Sequence, residues 1–322
     1  MNALIVPSIR QESLMEFLIQ WSPWENWDLV VVVEDNPEKT FDLGMYKEDV
    51  VHVAWDDIDA DLGDKSWIIS HRDSAIRSYG FYYAWKQGAD YIFTLDDDCY
   101  PINTPKQFIA DHIKALDEWS RWKGSVHGWR TRGIPYKNKG TLTNVLLNMG
   151  WWETNPDLDA VQSISGQEKE WKGFDHYRSH EVIPHGQYFP MCGMNLCFQR
   201  EITPLMYFPL MGEGYPYKRL DDIWCGIIMK KVCDHLRWNV SVGEPFINHI
   251  KASDPFVNLV KEAPGISANE WFWETIDNIQ LTETTTHGCM KELGKSLPQE
   301  SDYLKRLGLA LQNWSSLFHP ME

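Results

Sequence analysis

Three adjacent carboxylates, Asp96, Asp97 and Asp98, follow the apolar, β-prone run "YIFTL" and precede the turn residues "YPINTP". Like charges side by side repel, and the end of a strand gains nothing from them. Hard oxygen donors suit Mg²⁺ or Mn²⁺, so a divalent cation would give the triplet a purpose. Alternate residues of an extended segment share a face, so Asp96 and Asp98 are expected to point together. A cation held between them and a diphosphate would relieve their repulsion. The plainer alternative is a solvated loop in which Asp97 or Asp98 forms a turn.

Other residues could serve the same chemistry. Glu34 and Asp35 end the run "WDLVVVVED". A carboxylate there could accept the N–H groups that both uracil and guanine offer, or simply shape a turn into "NPEKT". His249 ends "FINH" and suits Mn²⁺ or Mg²⁺ only where carboxylates supply the other ligands. Lys251, two residues on, could meet phosphate oxygens as a point charge. In "HRDSAIRSYG", Asp73 is a candidate N-cap with Arg72 and Arg77 beside it, and a helix start among arginines is an anion site. "GWRTRGIPYKNKG" concentrates Arg130, Arg132, Lys137 and Lys139 in an otherwise acidic chain; by spacing alone it reads as a solvated basic loop. Asp221 and Asp222 open "DDIWCGIIMKKVCDHL", where they complement a helix dipole, act as a base, or partner a cation. No GxGxxG follows the first apolar run, so no flavin or nicotinamide site is expected.

These residues need a frame that brings them together. "ALIVP", "WDLVVVVED", "VVHVAW" and "DYIFTL" read as strands, and "SAIRSYGFYYAWKQG" as a helix stopped by Gly88. That alternation predicts an α/β protein with a mostly parallel central sheet flanked by helices. Ligands of such sheets bind at the carboxyl ends of strands, where "VED" and "LDDD" place their acids. "NTPKQFIADHIKALDEWSRW" predicts a helix capped by Asn103 or Thr104. Residues 124–187 read as irregular, "YFPMCGMNLCFQ" as a buried strand, and "VSVGEPFINHIKAS" as a strand entering a loop. From about residue 265 the chain reads as helices.

The chain has 322 residues, 43% hydrophobic and 24% charged, with a formal charge of −16. It is globular in composition, and its negative field argues against a nucleic-acid partner. The six scattered cysteines form no zinc pattern and read as reduced cytosolic thiols. No signal peptide and no membrane span are expected, so the expected location is cytoplasmic. The oligomeric state stays open; a homo-oligomer is compatible with the sequence.

"VPSIR", "RDSAIRSYG", "DDDCYP", "RGIPY", "FPMCGMNLCFQRE", "YFPLMGEG", "RLDDIWCG", "VCDHL" and "HIKASDPFVNL" together resemble the plant UDP-arabinopyranose mutases, or reversibly glycosylated polypeptides, over nearly the whole chain. The resemblance implies a glycosyltransferase-A-like fold, a divalent metal and a flavin-free interconversion of the pyranose and furanose forms of a nucleotide sugar. It suggests a catalytic, nucleotide-sugar-binding domain over 1–264 and a helical extension packed on it over 265–322. The family's glycosylated arginine falls at Arg132, with Asp221 or Asp222 as the carboxylate that would activate it. Asp98 is the first choice of metal ligand, with Asp96 on the ribose or metal and His249 as a further ligand. Substrate contacts are expected from Arg10, Glu34, Asp35, Asp73, Arg77, Asp96, Asp97, Lys139, Asn195 and Lys251. A second family arginine is replaced by Lys139, which keeps the charge without the planar fork. The family's "DGDP" stands here as "EDNP" at 34–37. The base stays open between UDP and GDP, and a glycosyltransferase using an external or self acceptor is the alternative activity.

Overall fold

The computed structural model describes residues 1–117, 119, 120, 133, 136, 141, 142, 144–167, 180–250 and 254–318. Its strands are β1 (Asn2–Ser8), β2 (Leu29–Glu34), β3 (Val51–Val53), β4 (Tyr91–Leu95), β5 (Cys99–Pro101), β6 (Trp119–Ser120), β7 (Thr141–Leu142), β8 (Val145–Trp152), β9 (Glu181–Val182), β10 (Asn195–Gln199) and β11 (Asn239–His249). Its α-helices are α1 (Gln11–Trp21), α2 (Trp55–Leu62), α3 (Arg77–Lys86), α4 (Pro105–Leu116), α5 (Ala160–Ser165), α6 (Asp221–His235), α7 (Pro255–Asp277), α8 (Thr286–Ser296) and α9 (Asp302–Ser315).

The central sheet runs β3-β2-β1-β4-β10-β8-β11-β5, with β9 also paired to β11. β3, β2, β1 and β4 pair in parallel, as do β8 and β11. β10 pairs antiparallel with both β4 and β8, and β5 and β9 pair antiparallel with β11. Six of the nine strands therefore share one direction, and the mostly parallel α/β sheet predicted from the sequence is present. Val30, Val31, Val32 and Val33 of β2 are all buried, as a strand covered on both faces requires.

The pattern failed in the middle of the chain. β8, a central strand, lies inside the stretch expected to be irregular. Asn148 and Gly150 interrupt its apolar run, and both have structural reasons. A Cβ on Gly150 would sit 2.1 Å from Asn195 Nδ2 and 2.5 Å from the Pro245 carbonyl. Asn148 Nδ2 donates to Glu244 O at 2.8 Å and to His112 Nδ1 at 3.0 Å. Conversely, only the last part of "YFPMCGMNLCFQ" is strand. Ahead of β10, Gly193 spends its backbone on side chains instead of a ladder: its N–H donates to Asp222 at 2.8 Å and its carbonyl accepts from Arg77 at 2.6 Å.

α7 starts earlier than the pattern suggested, because Asp254 caps it by accepting from the Phe256 and Val257 amides and Pro255 fills the first turn. It is one 23-residue helix, so the boundary expected at 264/265 lies in its middle. α7 stacks Phe272 on Trp224 of α6, with centroids 3.8 Å apart. α8 and α9 meet through Gly294 and Gly308, where a Cβ on either would come within 2.4 Å of the other's carbonyl. Trp314 Nε1 of α9 donates to the Pro204 carbonyl at 3.0 Å, fastening this hairpin to the body. No described helix is long and apolar enough to cross a membrane.

Candidate active site

β1, β2 and β4 end at one edge of the sheet, and there stand Ser8, Glu34, Asp35 and the aspartate triplet. The triplet is a turn and not the extended segment expected: Cys99 N–H donates to the Asp96 carbonyl at 3.1 Å. Asp97 is buried, accepting from Ser8 Oγ at 2.5 Å and from the Arg10 guanidinium. Asp96 and Asp98 keep 34% and 18% of their side chains in solvent. Asp97 and Arg10, both expected on the substrate, are thus engaged with each other, and Arg10 also reaches Asp98 at 3.5 Å. They brace the two aspartates that face the cleft.

Arg77 is a brace of the same kind. It is buried beneath the cleft, donating to Asp96, to Thr94 Oγ1 at 3.1 Å, to the Gly193 carbonyl and to the Ser74 carbonyl at 3.1 Å. Its expected contact with substrate is replaced by one with Asp96. Burial works to raise the Asp96 carboxyl, but the Arg77 charge outweighs it and holds the group below its usual range. Asp98 has only the longer contact with Arg10, at 3.5 Å. Burial, and then the Asp96 charge, push its carboxyl up to about 6, with His249 opposing.

His249 arrives from the far end of the chain. Its backbone pairs with Cys99 across β11 and β5, and Ile250 N–H donates to the Asp98 carbonyl at 3.0 Å. Its Nδ1 donates to the Asn155 carbonyl at 3.1 Å, which leaves Nε2 as the lone-pair nitrogen. Carboxylate and imidazole are donor types that suit Mn²⁺ or Mg²⁺. Among the described residues, no group of three His, Cys, Asp or Glu side chains is placed to hold a metal ion.

The opposite wall is also acidic. Asp73 caps the turn Ser74–Ile76 as expected, accepting from Ala75 N–H at 3.2 Å. It is hydrogen-bonded to Asp221, whose Oδ2 accepts from Ser74 Oγ at 2.8 Å. Burial, and next the Asp221 charge, raise both Asp73 and Asp222 well above the carboxylate range. Two further residues escaped the sequence reading. Asp157, in the stretch expected to be irregular, accepts from the Cys192 thiol. Arg219 lies within electrostatic reach of Asp73, Asp96, Asp157 and Asp221. It was in view in "RLDDIWCG", where the paired acids drew the attention.

Three expected contacts are absorbed by the fold. Glu34 is fully buried and accepts from Thr40 N–H and Oγ1, Asn36 Nδ2, Phe41 N–H and His52 Nε2. Asp35 accepts from Trp55 Nε1 at 2.9 Å and Asp73 N–H at 3.0 Å. Asn195 is buried, accepting from His112 Nε2 at 2.9 Å and donating to the Trp151 and Pro245 carbonyls at 3.0 Å. Each has its polar atoms engaged by protein. Arg132, Lys139 and Lys251 lie outside the described residues.

A family model described as reversibly glycosylated polypeptide matches residues 2–322. The chain is 35% identical over 343 residues to UDP-arabinopyranose mutase 1 of Arabidopsis thaliana, covering 97% of this chain and 90% of that protein. It is 36% identical to UDP-arabinopyranose mutase 1 of Oryza sativa subsp. japonica, covering 96% and 81%. Among solved structures, glucosyl-3-phosphoglycerate synthase from Mycobacterium tuberculosis in complex with Mn²⁺ and UDP-glucose aligns at 13% identity with a TM-score of 0.46, covering 88% and 82%.

Proposed function

The chain belongs to the reversibly glycosylated polypeptide family, and from that premise we propose that it interconverts the pyranose and furanose forms of a sugar carried on UDP or GDP, with a divalent metal and without flavin. The observation that carries this reading is the identity to UDP-arabinopyranose mutases along 97% of the chain. The acidic cleft supports it, because it stands where an α/β sheet binds ligands.

Asp96, Asp98 and His249 would hold Mn²⁺ or Mg²⁺, which supplies charge neutralisation for a departing diphosphate. The chain's own residues do the remaining work. Arg77 keeps Asp96 ionised, and Arg10 with Ser8 fixes Asp97 beneath it. Asp221 and Asp222 take up or return protons as the ring opens and recloses through a different hydroxyl. Arg132 either bonds the anomeric carbon or holds the diphosphate for return. Bonding requires its guanidinium to lose a proton to a neighbouring carboxylate, since a free guanidinium is a poor nucleophile.

The test is incubation with a panel of UDP- and GDP-sugars and Mn²⁺ or Mg²⁺, read by chromatography. Ring-isomerised nucleotide sugar formed without any acceptor is expected. Sugar transfer that waits for an acceptor would replace this reading with glycosyl transfer. Mass spectrometry should show one added sugar on the protein if Arg132 bonds it, and none on Arg132→Ala.

A further inference from the structure

Arg219 is held in an unusual way. Its backbone is left-handed, with φ of +64°. That region costs an L-residue roughly 1–2 kcal/mol and is ordinarily given to Gly or Asn. Strain of this kind persists where the surroundings over-determine it, and it gathers at ligand sites. Two contacts impose it here. The Arg219 amide donates to Asp73 Oδ2 at 3.3 Å, and its Nε donates to Glu262 Oε1 at 2.8 Å. Glu262 is buried on α7, and its other oxygen accepts from Ala160 N–H at the start of α5 at 2.7 Å. Both carboxylate oxygens of Glu262 are therefore committed, and the arginine's position is set from the second helix layer.

This clamp uses one of the guanidinium's five donors. The side chain remains 45% exposed and that of Arg10 44%, whereas Arg77 is buried. Arg219 also stands within electrostatic reach of four carboxylates, Asp96, Asp157, Asp73 and Asp221. A nucleotide sugar brings a dianionic linkage into a cleft that already holds these acids. It needs a cation besides a metal, and a planar fork matches phosphate oxygens two at a time.

Building on the mutase reading above, we propose that Arg219 contacts the diphosphate of the nucleotide sugar and that Glu262 is its positioning residue. If Arg219 served only to neutralise the neighbouring acids, lysine would replace it without loss. The proposal requires the fork, so lysine must fall short.

The test is calorimetric titration of the full chain, in Mn²⁺, with UDP, GDP, uridine and guanosine. Arg219→Ala is expected to weaken binding of the preferred diphosphate by about tenfold to a hundredfold, the range for losing hydrogen bonds to a charged group. Affinity for the matching nucleoside should stay within twofold. Arg219→Lys, which keeps the charge and guards against a folding defect in the alanine variant, should recover only part of the loss. Glu262→Gln should raise KM for the nucleotide sugar more than it lowers kcat. Equal diphosphate affinity in wild type and Arg219→Ala, or full recovery by lysine, overturns the proposal. If wild type still isomerises nucleotide sugars in that case, the mutase reading stands and only the Arg219 assignment falls. If wild type binds neither diphosphate, both fall together.

Discussion

Arg77 shows how a residue can matter to a site without touching its ligand. Replacing it with methionine keeps the bulk and strands Asp96 without its counter-charge. We expect Arg77→Met to lower stability by about 3 kcal/mol, the low end for breaking a buried pair, since Asp96 keeps some contact with water. Adding Asp96→Asn should return part of that, and urea unfolding of the four proteins measures it. A single-variant loss under about 1 kcal/mol would show that the pair does not brace the site. Asp98 carries a different expectation. With its carboxyl raised to about 6, a cation must displace its proton below that pH and meets an ionised group above it. Mn²⁺ affinity should therefore climb with pH up to about 6 and then level off, and Asp98→Asn should remove the climb. The triplet's importance was legible from residue type and position. What was not legible was which acids and amides the protein itself consumes. Glu34 and Asn195 looked as available as Asp98, but their partners His52, His112 and Pro245 lie on other segments, which one-dimensional spacing does not reveal.

Within the first hundred residues β1, β2 and β4 follow the sequence because each buries one continuous, mostly apolar run, whereas α1 and α2 were not read from it. β8 does not follow the sequence in this way, since its Asn148 and Gly150 answer to α4 and β10 across the sheet. His112 of α4 makes this dependence measurable. It is buried between Asn148 and Asn195, and burial pushes its ring down to about 3. The unfolded chain therefore takes up a proton first as pH falls below 6.5, and stability drops from there towards pH 3. At pH 5 the loss from this group is about 2 kcal/mol. Carboxyls titrate in the same range, so the informative quantity is the stability gap between wild type and His112→Asn. That gap should narrow by about 2 kcal/mol between pH 7 and pH 5. A constant gap would mean that His112 is not held neutral. Gly150→Ala tests the same seam sterically, and should cost about 1–3 kcal/mol or more, because both Asn195 and the Pro245 carbonyl stand in the way.

At the scale of the whole molecule, a chain of net charge −16 gathers still more acid into one cleft and keeps Arg10, Arg77 and Arg219 to balance it. The pairing of β5 with β11 also has a meaning in time. It joins Cys99 to His249, about 150 residues apart in sequence, and so brings the aspartates to the histidine only when the largest loop in the sheet closes. Closing long loops is what slows folding, and contacts between distant segments form late. The proposed cation site is thus among the last parts of the protein to form, and a cation bound there cannot serve as an early template for the fold. In refolding from urea, burial of the tryptophans should run ahead of Mn²⁺ uptake followed by loss of the free-ion resonance. Simultaneous phases would mean that the two ends of the chain meet at the outset.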